Sequence, residues 1–447
     1  MARFLAVFIL AFGGSCIAES RSEPPNIVLI VADYMGATDI GPYGATDIRT
    51  PSLDTLAAQG VRFTNYYAAA PICGPSRAAM MSGQYPARIG FENNLGEGNE
   101  GLDNSIATLP ALLKARGYRT GLFGKWHLGH NAETDPIAHG FDEFLGYHNW
   151  SIHHYTHRND SGEEALTRQR DVVERDGYLT EIITDESIGF IERQREEPFF
   201  AFISYNATLP PFLGPDLPES QWGAPFDNRH AKREDYVAMV EAMDIGIGRL
   251  LTAIEDNGLA ENTLVIFTYD HNGRHLARNA PFSGGFATVN EGGIRVPLIM
   301  RWPGRVEGNT LEEHAAIGMD ITATALAAGG IALEPLDLDG CDLLKESDRD
   351  TERSFFWRIQ LGDFGQAAVR SGKWKLLVHR FVTFSRPSVY LYDLEQDPGE
   401  SRDLYHAKQA LADDMHRQLL AWEQFMAHGA VSYESRSSTR PAASLPR

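Results

Sequence analysis

The chain has 447 residues, 43% hydrophobic and 22% charged, ordinary for a folded protein with room for one large α/β domain and a smaller one. A formal net charge of −20 argues against nucleic acid and against anionic membrane surfaces as partners. An anionic substrate would need a locally basic pocket in this acidic body.

Met1-Ala2-Arg3, an apolar run through Phe12, and small residues from Ser15 to Ala18 predict a secretory signal peptide over 1–18. A lipoprotein signal at Cys16 is the weaker alternative, because no Leu precedes it at the usual distance. No later stretch is long and apolar enough for a transmembrane helix, so export to the periplasm or medium is expected. Losing Cys16 leaves Cys73 and Cys341, which supply no disulfide framework. The polar Asp-Gly-Cys-Asp setting of Cys341 disfavours a pair between them.

Asn26 to Ala32 is a continuous apolar, largely β-branched run, predicting a strand buried on both faces of a parallel sheet. Asp33-Tyr34 follows it, at the strand end where open α/β sheets place their sites. A single Asp there is more often a loop cap. Thr50 to Gly60 has a cap, apolar spacing and a terminal Gly, hence a helix, and Val61 to Tyr66 a strand.

In Pro71 to Gly83, PICGPSRAAMMSG, Pro75 suits a first helical turn and Gly83 a stop. Cys73 would then stand at the positive end of a helix, which favours anions and thiol chemistry. Taken alone, such a cysteine is usually just buried beside a turn. Ser105 to Arg116 reads as a helix, and Tyr118 to Phe123 as a strand leading into Gly124-Lys125-Trp126-His127-Leu128-Gly129. Lys125 and His127 can face an anion together, although a surface Lys beside a core Trp is the blander reading.

His148, His153, His154 and His157 are interleaved with Trp150 and Tyr155 at spacing too irregular for a tetrahedral zinc set. They read either as a loop lining a sugar-binding cleft or as a solvated loop. A helix over Thr180–Glu197 leads into a buried strand, 198–206, and then Ala207-Thr208-Leu209-Pro210-Pro211. Tyr236 to Ile254 has the apolar spacing of a core-facing helix. Thr263 to Thr268 is a further strand, ending at Tyr269-Asp270-His271-Asn272-Gly273. Beyond Leu333 short alternating runs predict antiparallel strands, closed by a helix from Ala407 to Met426.

Cys73-Gly74-Pro75-Ser76-Arg77 with Ser82-Gly83 resembles the maturation signature C-x-P-S-R-x-x-x-x-[ST]-G of the type I sulfatases, in the alkaline phosphatase-like superfamily. GKWHLG at 124–129, the stretch from Phe141 to Tyr147, EGGIRVP at 291–297 and Arg301-Trp302-Pro303-Gly304 extend the resemblance over nearly the whole chain. It implies a catalytic domain over 24–332, a large mostly parallel sheet flanked by helices. A smaller C-terminal α+β domain over 333–428 and a disordered tail over 429–447 would follow.

The resemblance further implies that a sulfatase-maturing enzyme oxidises Cys73 to formylglycine, whose hydrated aldehyde is the nucleophile. Arg77 and Lys125 would hold that group, His127 would contact it and the sulfate, and Ca2+ would bind Asp33, Asp270 and His271. The substrate would be a sulfated glycan or small molecule. Three positions depart from the family pattern: Tyr34 replaces a metal carboxylate, Leu209 the histidine that protonates the leaving group, and Phe286 a sulfate-contacting lysine. Imidazole at His271, where the family has Asn or His, is a soft choice for calcium. Three readings follow. The first is an exported sulfatase in which His271, His127 or a loop histidine supplies the acid. The second is a degenerate relative that binds sulfated glycans without hydrolysing them. The third is a phosphate-ester or phosphonate relative, which the EGGIRVP match counts against.

Overall fold

The apolar run Asn26–Ala32 forms strand β1, buried along its whole length at the centre of a ten-stranded sheet. The computed structural model describes residues 24–96, 100–222, 230–345, 353–381 and 387–437. The expected signal peptide (1–18) and the end of the expected tail (438–447) lie outside the described residues.

In chain order the large domain contributes β2 (Val61–Phe63), β3 (Tyr66–Tyr67), β4 (Arg119–Lys125), β5 (Glu143–Tyr147), β6 (Thr167–Arg168) and β7 (Asp171–Val172). β8 (Phe199–Ser204), β9 (Thr263–Tyr269), β10 (Leu298–Arg301), β11 (Thr310–Glu312) and β12 (Ala316–Ile317) complete it. The sheet order is β11-β2-β10-β9-β1-β8-β4-β5-β6-β7, and β9, β1, β8, β4 and β5 at its centre run parallel. Parallel strands need helical crossovers, which cover both faces and explain why these strands are apolar without alternation. Their carboxyl ends emerge along one edge. That edge receives Asp33, Lys125, Tyr147, Ser204 and Asp270.

Helices α1 (Pro51–Ala58), α2 (Cys73–Ser82), α3 (Leu109–Ala115), α4 (Leu179–Arg193), α5 (Arg233–Asp256), α6 (Glu291–Ile294) and α7 (Met319–Ala328) flank the sheet. α3 is shorter than the helix expected over 105–116. Pro110 sits in its first turn, and the residues before it form a separate turn on the Asp103 carboxylate. α5 extends the expected helix at both ends, and the Asp235 carboxylate accepts from the Lys232 N–H at its start.

The smaller sheet is antiparallel, in the order β13 (Ser354–Leu361), β14 (Phe364–Ser371), β15 (Trp374–Phe381), β16 (Ser388–Asp393), and α8 (Gln409–Ser437) lies against β14 and β15. The described part of the stretch 333–353 packs on the large domain: Asp339 N–H donates to Gly83, and Leu343 N–H to Thr324 on α7. A second core joins the units, with Ile72, Ala79 and Tyr85 meeting Trp357, Leu376, Met415 and Trp422. The large expected sheet and the smaller antiparallel one are thus both present. No helix among the described residues is long and apolar enough to cross a membrane.

Candidate active site

Cys73 is the first residue of α2, and Arg77 follows one turn later on the same helix face. Every residue of α2 is buried, and it ends at Gly83 with a positive φ of 70°. The Arg77 side chain forks between two strand ends. Its Nη2 donates to Asp33 Oδ2 and its Nε to Asp270 Oδ2, each at 2.9 Å, while Nη1 donates to Ser204 Oγ at 2.6 Å and to the Lys125 carbonyl. Lys125 Nζ donates to Asp33 Oδ2 at 2.7 Å. All four charged side chains are fully buried.

The close approach of strands β4, β5 and β8 depends on glycine. Gly124 has φ +109°, and a Cβ there would lie 1.9 Å from the Ser204 carbonyl oxygen. This seats Lys125 beside Ser204 at the sheet edge.

His271 completes the cluster. Its Nε2 is 3.0 Å from Cys73 Sγ, 3.8 Å from Asp33 Oδ1 and 3.7 Å from Asp270 Oδ1. Its Nδ1 faces the Asn272 carbonyl at 3.0 Å, and a carbonyl only accepts, so Nδ1 carries the proton. Burial raises the Asp33 carboxyl, but the Lys125 ammonium and the Arg77 guanidinium outweigh it and hold the group well below the usual range. Asp270 moves the other way, raised by burial and by the Asp33 charge. Burial disfavours the His271 cation, yet the Asp270 and Cys73 charges prevail and push it up to about 10. His127, with a positive φ of 57°, is held neutral by burial and by the Lys125 and Arg77 charges, and its Nδ1 has no partner among the described residues.

The three departures fall around this cluster. Tyr34 also has a positive φ, 61°, and its phenol oxygen meets the His275 N–H at 3.4 Å. Its ring centroid is 5.2 Å from Phe286 and 6.2 Å from His271, and Phe286 is 5.1 Å from His271. Two aromatic rings therefore flank the imidazole at positions expected to carry a carboxylate and an ammonium. Leu209 is buried, in a loop tied to the site by hydrogen bonds between the Asp33 backbone and Ala207 and Thr208.

Three of the loop histidines, His148, His153 and His154, are engaged by backbone groups, while His157 Nε2 has no partner among the described residues. His154 donates from Nε2 to the Leu209 carbonyl and is pushed down to about 3 by burial. His153 accepts from the Tyr155 and Thr156 N–H groups, and His148 bonds the Gly129 carbonyl. His153, His154 and His157 are buried, so this is not a solvated loop. Neither Cys73 nor Cys341 forms a disulfide among the described residues, and Cys341 accepts from Arg353.

Two residues of the site were absent from the sequence reading. Ser204 ends β8 and anchors Arg77; Tyr147 ends β5, and its buried hydroxyl lacks a partner among the described residues. The strand-end rule that flagged Asp33 and Asp270 would have flagged both.

Calcium takes six to eight oxygen donors. The cluster offers two carboxylates, one thiol and one imidazole. Asp33 Oδ2 already accepts from Arg77 and Lys125, and Asp270 Oδ2 from Arg77. The Tyr34 phenol is turned to the 275 backbone. With Cys73 as an unconverted thiol, this donor set falls short of calcium's oxygen ligands.

A family model described as Sulfatase matches residues 25–331, and one described as N-sulphoglucosamine sulphohydrolase, C-terminal, matches 287–424. The chain is 34% identical over 359 residues to N-acetylgalactosamine-6-sulfatase of Homo sapiens, covering 73% of this chain and 66% of that relative, just under two thirds of its length. It is 33% identical over 446 residues to arylsulfatase A of Homo sapiens, covering 86% of this chain and 84% of the relative. Among solved structures, that of Ps i-CgsB in complex with k-i-k-neocarrahexaose matches with TM-score 0.81 and 30% identity, over 90% of this chain and 93% of the other.

Proposed function

The chain belongs to the sulfatase family, and from that premise we propose that it hydrolyses sulfate esters, with a sulfated carbohydrate as the substrate class and a formylglycine made from Cys73 as the nucleophile. The observation that carries this is the placement of Cys73 at the start of α2, with Arg77 one turn on and Lys125 beside it at the sheet edge. A separate maturing enzyme would oxidise Cys73. The similarity to a structure bound to k-i-k-neocarrahexaose supports the carbohydrate class. Export after removal of residues 1–18 belongs to the same proposal and is supported by the sequence of that segment.

When formed, the hydrated aldehyde would supply a hydroxyl nucleophile toward sulfur, displacing the alcohol, and a second hydroxyl through which sulfate would leave and the aldehyde return. Arg77 and Lys125 hold the nucleophile end in place and offset the charge that develops on the sulfate oxygens. Asp33 and Asp270 keep both cations oriented. The neutral His127 has its unpaired Nδ1 free to exchange a proton with the substrate oxygens.

A second reading, a binder of sulfated glycans that no longer hydrolyses them, is favoured by the ring pair at Tyr34 and Phe286 and by Leu209. Missing general acids typically cost about 10²–10⁴ in rate, while enzymes on slow reactions reach accelerations of about 10¹⁷. Such a loss leaves measurable activity. The test is release of the chromophore from an aryl sulfate, after mass spectrometry shows Cys73 converted. Turnover that disappears in Cys73→Ala supports hydrolysis; a silent converted chain that retains sulfated oligosaccharides supports the binder.

A further inference from the structure

A cavity of about 720 Å³ opens between the two domains, and no residue of the catalytic cluster lines it. We infer that it is an accessory site for a sulfated saccharide, in which Arg370 meets an ester sulfate. The choice of sulfate among oxyanions rests on the sulfatase reading; the site itself does not. Arg295, Arg353, Arg370 and Lys373 line the cavity, against the carboxylates of Glu313 and Glu395. In a chain of net charge −20 this wall is locally basic. Thr64 and Asn65, which follow β2, belong to its large-domain side, and the turn between β14 and β15 to the other. β2 stands three places from β1 in the sheet, about 14 Å at the usual strand spacing, so the cavity is a separate place from the strand end at Asp33.

The four cations differ in how they are matched. Arg353 donates to both oxygens of the buried Asp320 carboxylate, at 2.8 and 3.1 Å. Arg295 donates to Glu291 Oε2, the Thr64 carbonyl and Asn65 Oδ1, and Lys373 pairs with Asp393 at 2.9 Å. Arg370 is only 7% exposed, yet it has no carboxylate partner among the described residues. Its Nε donates to the Gly372 carbonyl at 3.0 Å, and its Nη1 is buried without a partner among the described residues. A buried lysine can shed its proton, but a guanidinium keeps its charge, and a buried charge left unbalanced is costly. That charge is spread over the whole guanidinium plane, so an anion on the cavity side would balance it. The plane is already fixed: Arg370 lies over the Tyr67 ring at 4.8 Å, Arg295 over Phe282 at 4.7 Å and Arg353 over Phe355 at 4.9 Å. Preset forks of this kind suit the paired oxygens of a sulfate as they do those of a phosphate. The volume belongs to the range that holds molecules far larger than a bare sulfate ion. Glu313 and Glu395 would repel a ligand charged throughout, but they accept from hydroxyls, which a sugar beside its sulfate supplies.

The test uses the full chain carrying Cys73→Ala, so that the probe is not consumed. Amide hydrogen exchange is followed on adding a sulfated carrageenan hexasaccharide, its desulfated counterpart or inorganic sulfate, each at the same concentration. The sulfated hexasaccharide should slow exchange around 64–65 and 371–374, and the other two should not. Arg370→Gln, added to the same chain, should remove that protection and leave any protection around 124–129 in place. By calorimetry it should weaken binding at this site on the order of 10–100-fold, the worth of a hydrogen bond to a charged group. Arg370→Lys keeps the charge without the fork and should fall between the two. Urea midpoints of both variants without the saccharide check that they fold, and Arg370→Lys carries the comparison where Arg370→Gln does not. Equal protection by inorganic sulfate would make this a bare oxyanion site and overturn the saccharide assignment. Equal protection by the desulfated sugar, protection confined to 124–129, or binding unchanged in both variants would overturn the inference as a whole. No arm reads turnover: a chain without sulfatase activity can keep this site, and an active one that lacks the protection overturns it alone.

Discussion

Two buried ion clusters lie in this molecule, and they differ in what is left over. The one at the junction of the two domains centres on Glu291 of α6. Lys375 Nζ reaches Glu291 Oε1 at 2.8 Å and Glu400 Oε1 at 2.9 Å, while Tyr67 and Arg295 donate to Glu291 Oε2. Ser283, Asn290 and the Glu291 N–H all donate to Glu400 Oε2. Burial would raise the Glu291 carboxyl, but Lys375 and then Arg295 hold it down to about 2. The cluster at the sheet edge is as deeply buried, yet it leaves His127 Nδ1 and the Tyr147 hydroxyl without partners among the described residues and sets a thiol against an imidazole. The junction cluster pairs both of its carboxylates with protein cations, even where Glu400 Oε1 has only the Lys375 ion pair, and so joins the domains. The edge cluster sets its unmatched imidazole nitrogen and phenol beside a thiol, where a group that is not protein can meet them.

The sharpest way to break that contrast is Cys73→Ala. Turnover of an aryl sulfate should fall by a factor on the order of 10⁶, the scale of losing a nucleophile, with the urea midpoint little changed. A variant that keeps its activity would remove the edge cluster from the chemistry. Leu209→His, restoring an acid beside the loop that bonds Asp33, should raise turnover by about 10²–10⁴, together with an alkaline limb in the pH–rate profile. An unchanged rate would mean that the leaving group needs no protonation or that another group provides it.

At the other cluster, Lys375→Met strands two buried carboxylates and should cost about 3–5 kcal/mol in denaturant unfolding, with kcat of the folded protein unchanged. If kcat fell while stability held, the junction would be part of the site. The smallest effect is on acid stability. Glu291 is held near 2 against an ordinary 4.5, so it contributes stability above pH 4.5 that is lost as pH falls through about 2. The difference corresponds to at most about 3 kcal/mol for this fully buried group. Urea midpoints measured across that window should fall more steeply for the natural chain than for Lys375→Met, and parallel slopes would refute the assignment.

Legibility in the sequence followed the range of the interaction. Cys73 and Arg77 stand one helical turn apart, so their shared face could be read from spacing and the resemblance alone. The strands before Asp33 and Asp270 were visible as apolar runs, and the C-terminal sheet as alternation. The junction was not visible: Lys375 sits in an ordinary strand pattern, and its partners Glu291 and Glu400 are far away in the chain. The direction of Tyr34 was hidden as well. Its side chain follows from a positive φ and from packing on Phe286, far along the sequence.

The sequence by itself therefore determined the element types, the strand-end positions of the acidic residues and the helical start at Cys73, since these depend on neighbours a few residues apart. Only the tertiary structure decided which charges pair, which histidine nitrogen meets the thiol and which polar atoms remain unmatched. Parallel strands joined by long crossovers bring distant residues to one edge, and their ionisation depends on distances and burial that no local pattern contains.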